Sequence, residues 1–175
     1  MIKKIHLLIF IFCTFITSYA HSYEYDCLFE KIKPGVSKKD LEEIYLFLPR
    51  NIEGINSVPV HAEEICKDDP RNIMGLVLEL TFFDDKLIKI NYVNTLSIST
   101  ILFDISNNDY KTNFKRNQQQ VEKKQSEFYN TTINDNSYFY VLLKDKDRQQ
   151  EYLEINSDKD SEKIDKFLIQ IEETQ

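Results

Sequence analysis

Tryptophan is absent from this chain of 175 residues, and glycine (three), proline (four), cysteine (three) and histidine (three) are scarce. Each shortage removes a class of chemistry. Three scattered glycines leave no Gly-rich phosphate loop and no Gly-x-Ser-x-Gly nucleophile turn, and the histidines form no His-Glu-x-x-His zinc motif. The scarcity of glycine and proline, set against twelve Phe, ten Tyr and a 42% hydrophobic content, excludes a disordered chain and favours strands. The length suits one domain with a real core and is short for two.

What is present begins with a targeting segment. Lys3 and Lys4 form a basic start, Leu7 to Ile16 is apolar, and Ser18-Tyr19-Ala20 puts small residues where a signal peptidase reads them. Residues 1–20 therefore read as a signal peptide cleaved after Ala20, leaving 21–175 as a single periplasmic or secreted domain. The alternative, an uncleaved anchor, calls for a span of about 20 apolar residues, and this run is shorter. Bulky Phe10, Ile11 and Phe12 before Cys13 argue against lipidation. Removing the segment takes away two lysines and no acid, so the net charge moves from −7 to −9. Nucleic acid and anionic membranes are poor partners for such a chain, and a basic protein is a good one.

Two cysteines then remain, Cys27 and Cys66, and in an oxidising compartment such a pair predicts a disulfide. On the chain-entropy account that closure contributes about 4 kcal/mol. A redox or metal pair calls for CxxC spacing or nearby histidines, and only His21 and His61 are left. No metal site and no cofactor are expected.

The longest patterned stretch is Leu76 to Val93, LVLELTFFDDKLIKINYV. Leu76, Leu78, Leu80 and Phe82 alternate on one strand face and Ile88, Ile90 and Tyr92 on another, with Asp84, Asp85 and Lys86 as the reversal, which predicts a β-hairpin. Upstream, Ser37 as N-cap with Asp40 three residues on, Val36 and Leu41 as a hydrophobic staple, and the Leu41, Ile44, Tyr45, Leu48 stripe predict a helix ended by Pro49. Arg50 to Asn72 reads as an irregular connection. Leu96 to Ile105 reads as a helix behind Ser97 or a third strand, and Asp109 to Tyr129 as an exposed helix or a mobile linker. Tyr138 to Leu143 and Glu151 to Ile155 predict a second hairpin, and Ile164, Phe167, Leu168 and Ile171 a closing helix. The expectation is an α+β fold: two helix–hairpin units, in halves of about 21–94 and 95–175, forming one antiparallel sheet packed against helices, with one disulfide.

The run IKPGVSKKDLEEIYLFLP followed by VLELTFFDDKLIKINYV resembles the helix-then-hairpin pattern of the SmpA/OmlA family, the BamE-like envelope proteins, which is doubled in the β-lactamase inhibitor protein. Gly35-Val36-Ser37 stands where that pattern has Gly-hydrophobic-Thr/Ser, and the likeness covers about residues 30–93. It implies a noncatalytic envelope module that works by binding protein.

The functional expectation is a noncatalytic protein-binding domain such as an immunity protein or enzyme inhibitor. The alternatives are an envelope-assembly component of the BamE-like kind and a small carboxylate-dependent hydrolase. Glu63, Glu64, Asp68 and Asp69 are the candidate partner-binding residues, because they crowd a cysteine-tethered loop where a fixed backbone lowers the ordering cost of binding. The same charges also serve a merely solubilising role. Asn156, Asp158, Asp160 and Glu162 alternate as calcium ligands do, without the glycine and distal glutamate of a calcium loop. Asn130-Thr131-Thr132 is a glycosylation sequon if the source is eukaryotic.

Overall fold

The structure, a computed structural model, describes residues 29–42, 54–66, 71, 73–94, 100–145, 148–160, 163 and 166. Six strands run through them: β1 (Ile55–His61), β2 (Leu76–Phe83), β3 (Lys86–Asn94), β4 (Glu127–Ile133), β5 (Asn136–Asp145) and β6 (Arg148–Ser157). They form one antiparallel sheet in the order β1-β2-β3-β6-β5-β4. The chain thus makes two three-stranded meanders joined where β3 meets β6, with Ile90 opposite Ile155 and Tyr92 opposite Leu153.

Two of the turns explain themselves chemically. Asp84 and Asp85 have φ of 48° and 61°, and Asn134 and Asp135 have φ of 50° and 60°. A two-residue hairpin whose twist matches its strands needs both central residues left-handed, and Asn and Asp tolerate this better than other side-chain-bearing residues. A bulge between Thr81 and Phe82 sets Leu87 opposite Phe82. Leu87 therefore joins the core cluster in phase with Phe82, whereas Ile88, expected on that face, is buried outside the cluster.

The expected α+β arrangement of two helix–hairpin units is overturned. Each half supplies a meander, and among the described residues the helices are few and short: α1 (Lys38–Glu42), α2 (Ala62–Ile65), α3 (Ile101–Asn108) and α4 (Gln118–Glu122), with one 3-10 turn at Phe29–Lys31 and helical residues at 158–160, 163 and 166. Two edge strands account for the difference. β1 lies within the stretch read as irregular, because Pro59 interrupts its sequence pattern; at the sheet edge a missing N–H is tolerated. β4 starts at the end of the stretch read as helix or linker and runs on to Ile133; its sequence lacks a clear strand pattern because only one of its faces is even half-buried and its outer face carries Asn130 and Thr132. The polar block before it is helical only across the five residues of α4, capped by Asn117 Oδ1 accepting from the Gln119 N–H at 3.0 Å.

The predicted cap at Ser37 is formed: its Oγ accepts from the Asp40 N–H at 3.2 Å and donates to the Asp40 carboxylate at 2.7 Å. Leu41 is buried and Val36 packs against the core, while Ile44, Tyr45 and Leu48 lie outside the described residues. So do the signal segment, Cys27 and the apolar positions of the closing helix. Among the described residues no helix is long and apolar enough to cross a membrane.

One face of the sheet carries the core. Leu76, Leu78, Leu80 and Phe82 of β2, Ile90 and Tyr92 of β3, and Leu153 and Ile155 of β6 meet Phe29, Ile32, Leu41 and the α3 residues Ile101, Leu102 and Ile105. Phe29 meets Tyr92 edge-on at 5.7 Å between ring centroids, a favoured aromatic geometry.

Candidate protein-docking face

Buried polar groups tie the core face of the sheet to the helices and strap that cover it. Glu151 of β6, 1% exposed, accepts from the Tyr140 hydroxyl at 2.8 Å, the Asn94 amide at 3.0 Å and the Leu102 N–H at 3.3 Å. The carboxylate thereby caps α3 from the sheet, in place of Thr100, whose side chain makes no cap bond. Burial raises the Glu151 carboxyl above its ordinary value, against the hydrogen bonds from Tyr140, Asn94 and the Leu102 and Phe103 N–H groups. Burial likewise, followed by the charge of Glu151, pushes the Tyr140 hydroxyl well above the usual phenol range.

A second buried carboxylate, Glu127 of β4, meets Lys144 at 2.6 Å and Arg116 at 3.3 Å. The Arg116 guanidinium lies over the Phe103 ring at 4.5 Å from its centroid, tying the strap before α4 to α3. Asn107 holds the same strap with its side-chain amide: Oδ1 accepts from the Phe114 N–H at 2.7 Å and the Thr112 hydroxyl at 2.8 Å, and Nδ2 donates to the Phe114 carbonyl at 3.1 Å. Tyr92 and Tyr110 share a buried hydroxyl–hydroxyl hydrogen bond, and burial raises both phenols well above their usual range. No group in this set combines an accessible nucleophile with a base.

Among the described residues, those on the opposite face of the sheet range from half-buried to exposed. The β4–β5 end of that face carries Phe128 at 56%, Phe139 at 43% and Leu143 at 41% exposure. Phe128 stands directly across from Val141, and Phe139 and Leu143 lie two residues to either side of Val141 on β5, so the four side chains share one patch. Tyr152 of β6 continues the row from Val141 and Val93 of β3 continues it from Tyr152. Beside the patch is a depression of about 350 Å³ lined by Asn130, Thr131, Thr132, Ser137, Tyr138 and Phe139. The central part of the face is polar: Glu79 accepts from Asn91 at 3.2 Å, and Glu154 pairs with Lys89 at 2.7 Å. Burial tends to raise the Glu154 carboxyl, but the hydrogen bonds from Lys89 and Asn156 and the Lys89 charge outweigh it and hold the carboxyl below its ordinary value.

Of the residues singled out from sequence, Glu63 and Glu64 lie elsewhere. Glu63 and Glu64 are exposed on α2, which follows β1 at the far edge of the sheet, and Glu63 Oε1 accepts from the Gly75 N–H at 3.3 Å. Five strand spacings, about 24 Å, separate that edge from β4. Asp68 and Asp69 lie outside the described residues, and so does Cys27, the expected partner of the buried Cys66. The described members of the calcium-like series are occupied locally: Asn156 donates to Glu154, Asp158 accepts from Ser137, and Asp160 accepts from Ser157, while Glu162 lies outside the described residues. Among the described residues no three His, Cys, Asp or Glu side chains converge as metal ligands do.

Sequence reasoning passed over the patch, although a signal was present. The run Tyr138-Phe139-Tyr140-Val141-Leu142-Leu143 is apolar in both phases of a strand, which marks a strand with a use for both faces. Glu151, in phase with Leu153 and Ile155, likewise marked a buried carboxylate. No protein-family model matches the chain, and no curated protein or solved structure matches it either.

Proposed function

We propose that this protein is a noncatalytic binding domain of the periplasm or the secreted milieu, an inhibitor or immunity protein, that engages a basic protein partner through the sheet face opposite its core. The observation that carries the reading is the cluster of Phe128, Phe139 and Leu143, large apolar side chains 41–56% exposed on adjacent strands. Contiguous apolar surface of this kind marks interaction sites, and aromatic side chains supply most of the binding energy at such contacts. The partner's basic character follows from a net charge of −7, or −9 without residues 1–20, which steers encounter with cations.

The test is a pull-down from envelope or secreted extract, followed by affinity measurements on the recovered partner. Phe128→Ser combined with Phe139→Ser should weaken binding by tenfold or more, on the order of the 2 kcal/mol lost at a hot spot, while the melting temperature holds. Added salt should slow association. Equal binding by the double variant refutes this patch as the site. Loss of binding on reversing Glu63, Glu64, Asp68 and Asp69 alone moves the site to the acidic loop. Cofractionation with outer-membrane complexes replaces the inhibitor reading with the envelope-assembly one.

A further inference from the structure

We infer that strand β4 is a self-association edge, across which two copies of the chain pair antiparallel about a two-fold axis at Asn130 and join their sheets. The inference does not depend on the proposed partner. Among the described residues β4 is the last strand of the sheet, with β5 on one side only. Its hairpin closes through the two-residue turn Asn134–Asp135, both with positive φ, so the flanking pair Ile133 and Asn136 exchanges both ladder hydrogen bonds. Exchange recurs at every second residue, at Thr131, Tyr129 and Glu127. Phe128, Asn130 and Thr132 therefore turn their backbone N–H and C=O groups away from β5, toward the edge. An antiparallel copy centred on Asn130 sets Asn130 opposite Asn130 and Phe128 opposite Thr132, which pairs all of these groups in both chains.

The side chains suit that register. Edges that must stay single carry proline, lysine or inward charges, and β1 at the other end of the sheet has Pro59 in its middle. β4 has no proline and no lysine, and its one charge, Glu127, is buried against Lys144 and Arg116, so no like charges meet across the axis. Thr131, Thr132 and Ile133 are β-branched, the shape that packs best on a pleated surface.

Charge at the two ends of the strand is complementary as well. Exposed Lys115, Lys123 and Lys124 precede β4, with one exposed acid, Glu122, among them; exposed Asp135 and Asp158 stand at its far end with one lysine, Lys159, which pairs with Asp135 at 2.5 Å, and there the Asp158 N–H donates to the Asp135 carbonyl at 2.9 Å. The two-fold sets residue 125 of one copy opposite residue 135 of the other, bringing the lysine end of each chain alongside the aspartate end of its mate. In a chain of net charge −7 this local arrangement selects antiparallel pairing over other encounters.

The experiment is sedimentation equilibrium on the purified full chain up to about 100 µM, a range that captures weak interfaces, with far-UV circular dichroism as a check on folding. The wild type should dimerise reversibly. Asn130→Lys and Asn130→Asp, which put like charges face to face on the axis, should each raise the dimer Kd by about fivefold. Because Asn130 pairs with itself, mixing the two variants should give a Lys–Asp pair that binds roughly tenfold tighter than either variant alone. A monomeric wild type overturns the inference, and so does a dimer indifferent to both substitutions. Dimers weakened by both but not restored by mixing overturn the two-fold register. If either variant unfolds, Thr132→Lys and Thr132→Asp replace it: Thr132 faces Phe128, so neither mixing nor charge sign should matter, and a rescue on mixing also counts against the register.

Discussion

Replacing Glu151 tests whether the buried carboxylate joins the sheet to α3. In Glu151→Ala the Tyr140 hydroxyl, the Asn94 amide and the Leu102 N–H lose their acceptor. A buried donor left unsatisfied costs about 1–3 kcal/mol, and the released desolvation of the carboxylate offsets part of the total, which gives an expected loss of about 3–5 kcal/mol. Glu151→Gln keeps one carbonyl acceptor at similar volume and should cost about 1–2 kcal/mol. The pH dependence separates the charge from the shape. The folded-state carboxyl is raised above its unfolded value, so the folded protein holds this proton more tightly than the unfolded chain does. The stabilisation from that proton is complete below the unfolded value of about 4.3 and is lost as pH rises through the folded value. Wild type should therefore exceed Glu151→Gln by most at the acid end, with the gap narrowing as pH rises. Urea denaturation of the three proteins from mildly acidic to neutral pH measures both effects. A loss below about 0.5 kcal/mol for the alanine variant, within the range of ordinary surface changes, refutes the network's role. A gap independent of pH refutes the raised carboxyl.

Leu80→Ala removes a core side chain 2% exposed and should cost about 2–5 kcal/mol by urea denaturation; a loss below about 0.5 kcal/mol would place Leu80 on the opposite face instead. Asp85→Gly relieves a residue at φ 61° in the β2–β3 turn and should stabilise by about 0.5–1 kcal/mol, with a thermal shift as the readout and a destabilisation as the contrary result. Asn107→Ala frees the strap that its amide ties to Phe114 and Thr112, and should speed amide exchange in residues 110–114 well before global unfolding; unchanged protection would mean that Phe114 and Tyr110 hold the strap by packing alone.

The hairpin of β2 and β3 was legible in sequence because its signal is local: one face alternates apolar residues and an Asp-Asp pair reverses the chain. The cap at Ser37 was legible for the same reason, since Ser37 and Asp40 are three residues apart. The edge strands were not. Among the described residues β1 and β4 each have one neighbour, so their sequences reflect one hydrogen-bonding side and a partly wet face, and Pro59 in one and the Asn130, Thr132 pair in the other break the expected pattern. The exposed patch was hard to read for a related reason. Acidic residues near a cysteine are conspicuous in a string of letters, whereas Phe128, Phe139 and Leu143 form a patch only once β4 and β5 pair in register.

Alone, the sequence determined the β-rich composition, the acid excess, the central hairpin and the first helix cap, because each depends on composition or on residues a few positions apart. Only the tertiary structure decided that two meanders join at β3 and β6, that Glu151 caps a helix 49 residues earlier in the chain, and which sheet face carries exposed Phe128, Phe139 and Leu143. Those outcomes depend on strand order and register, which are set by many weak contacts between distant residues and leave no short-range pattern of their own.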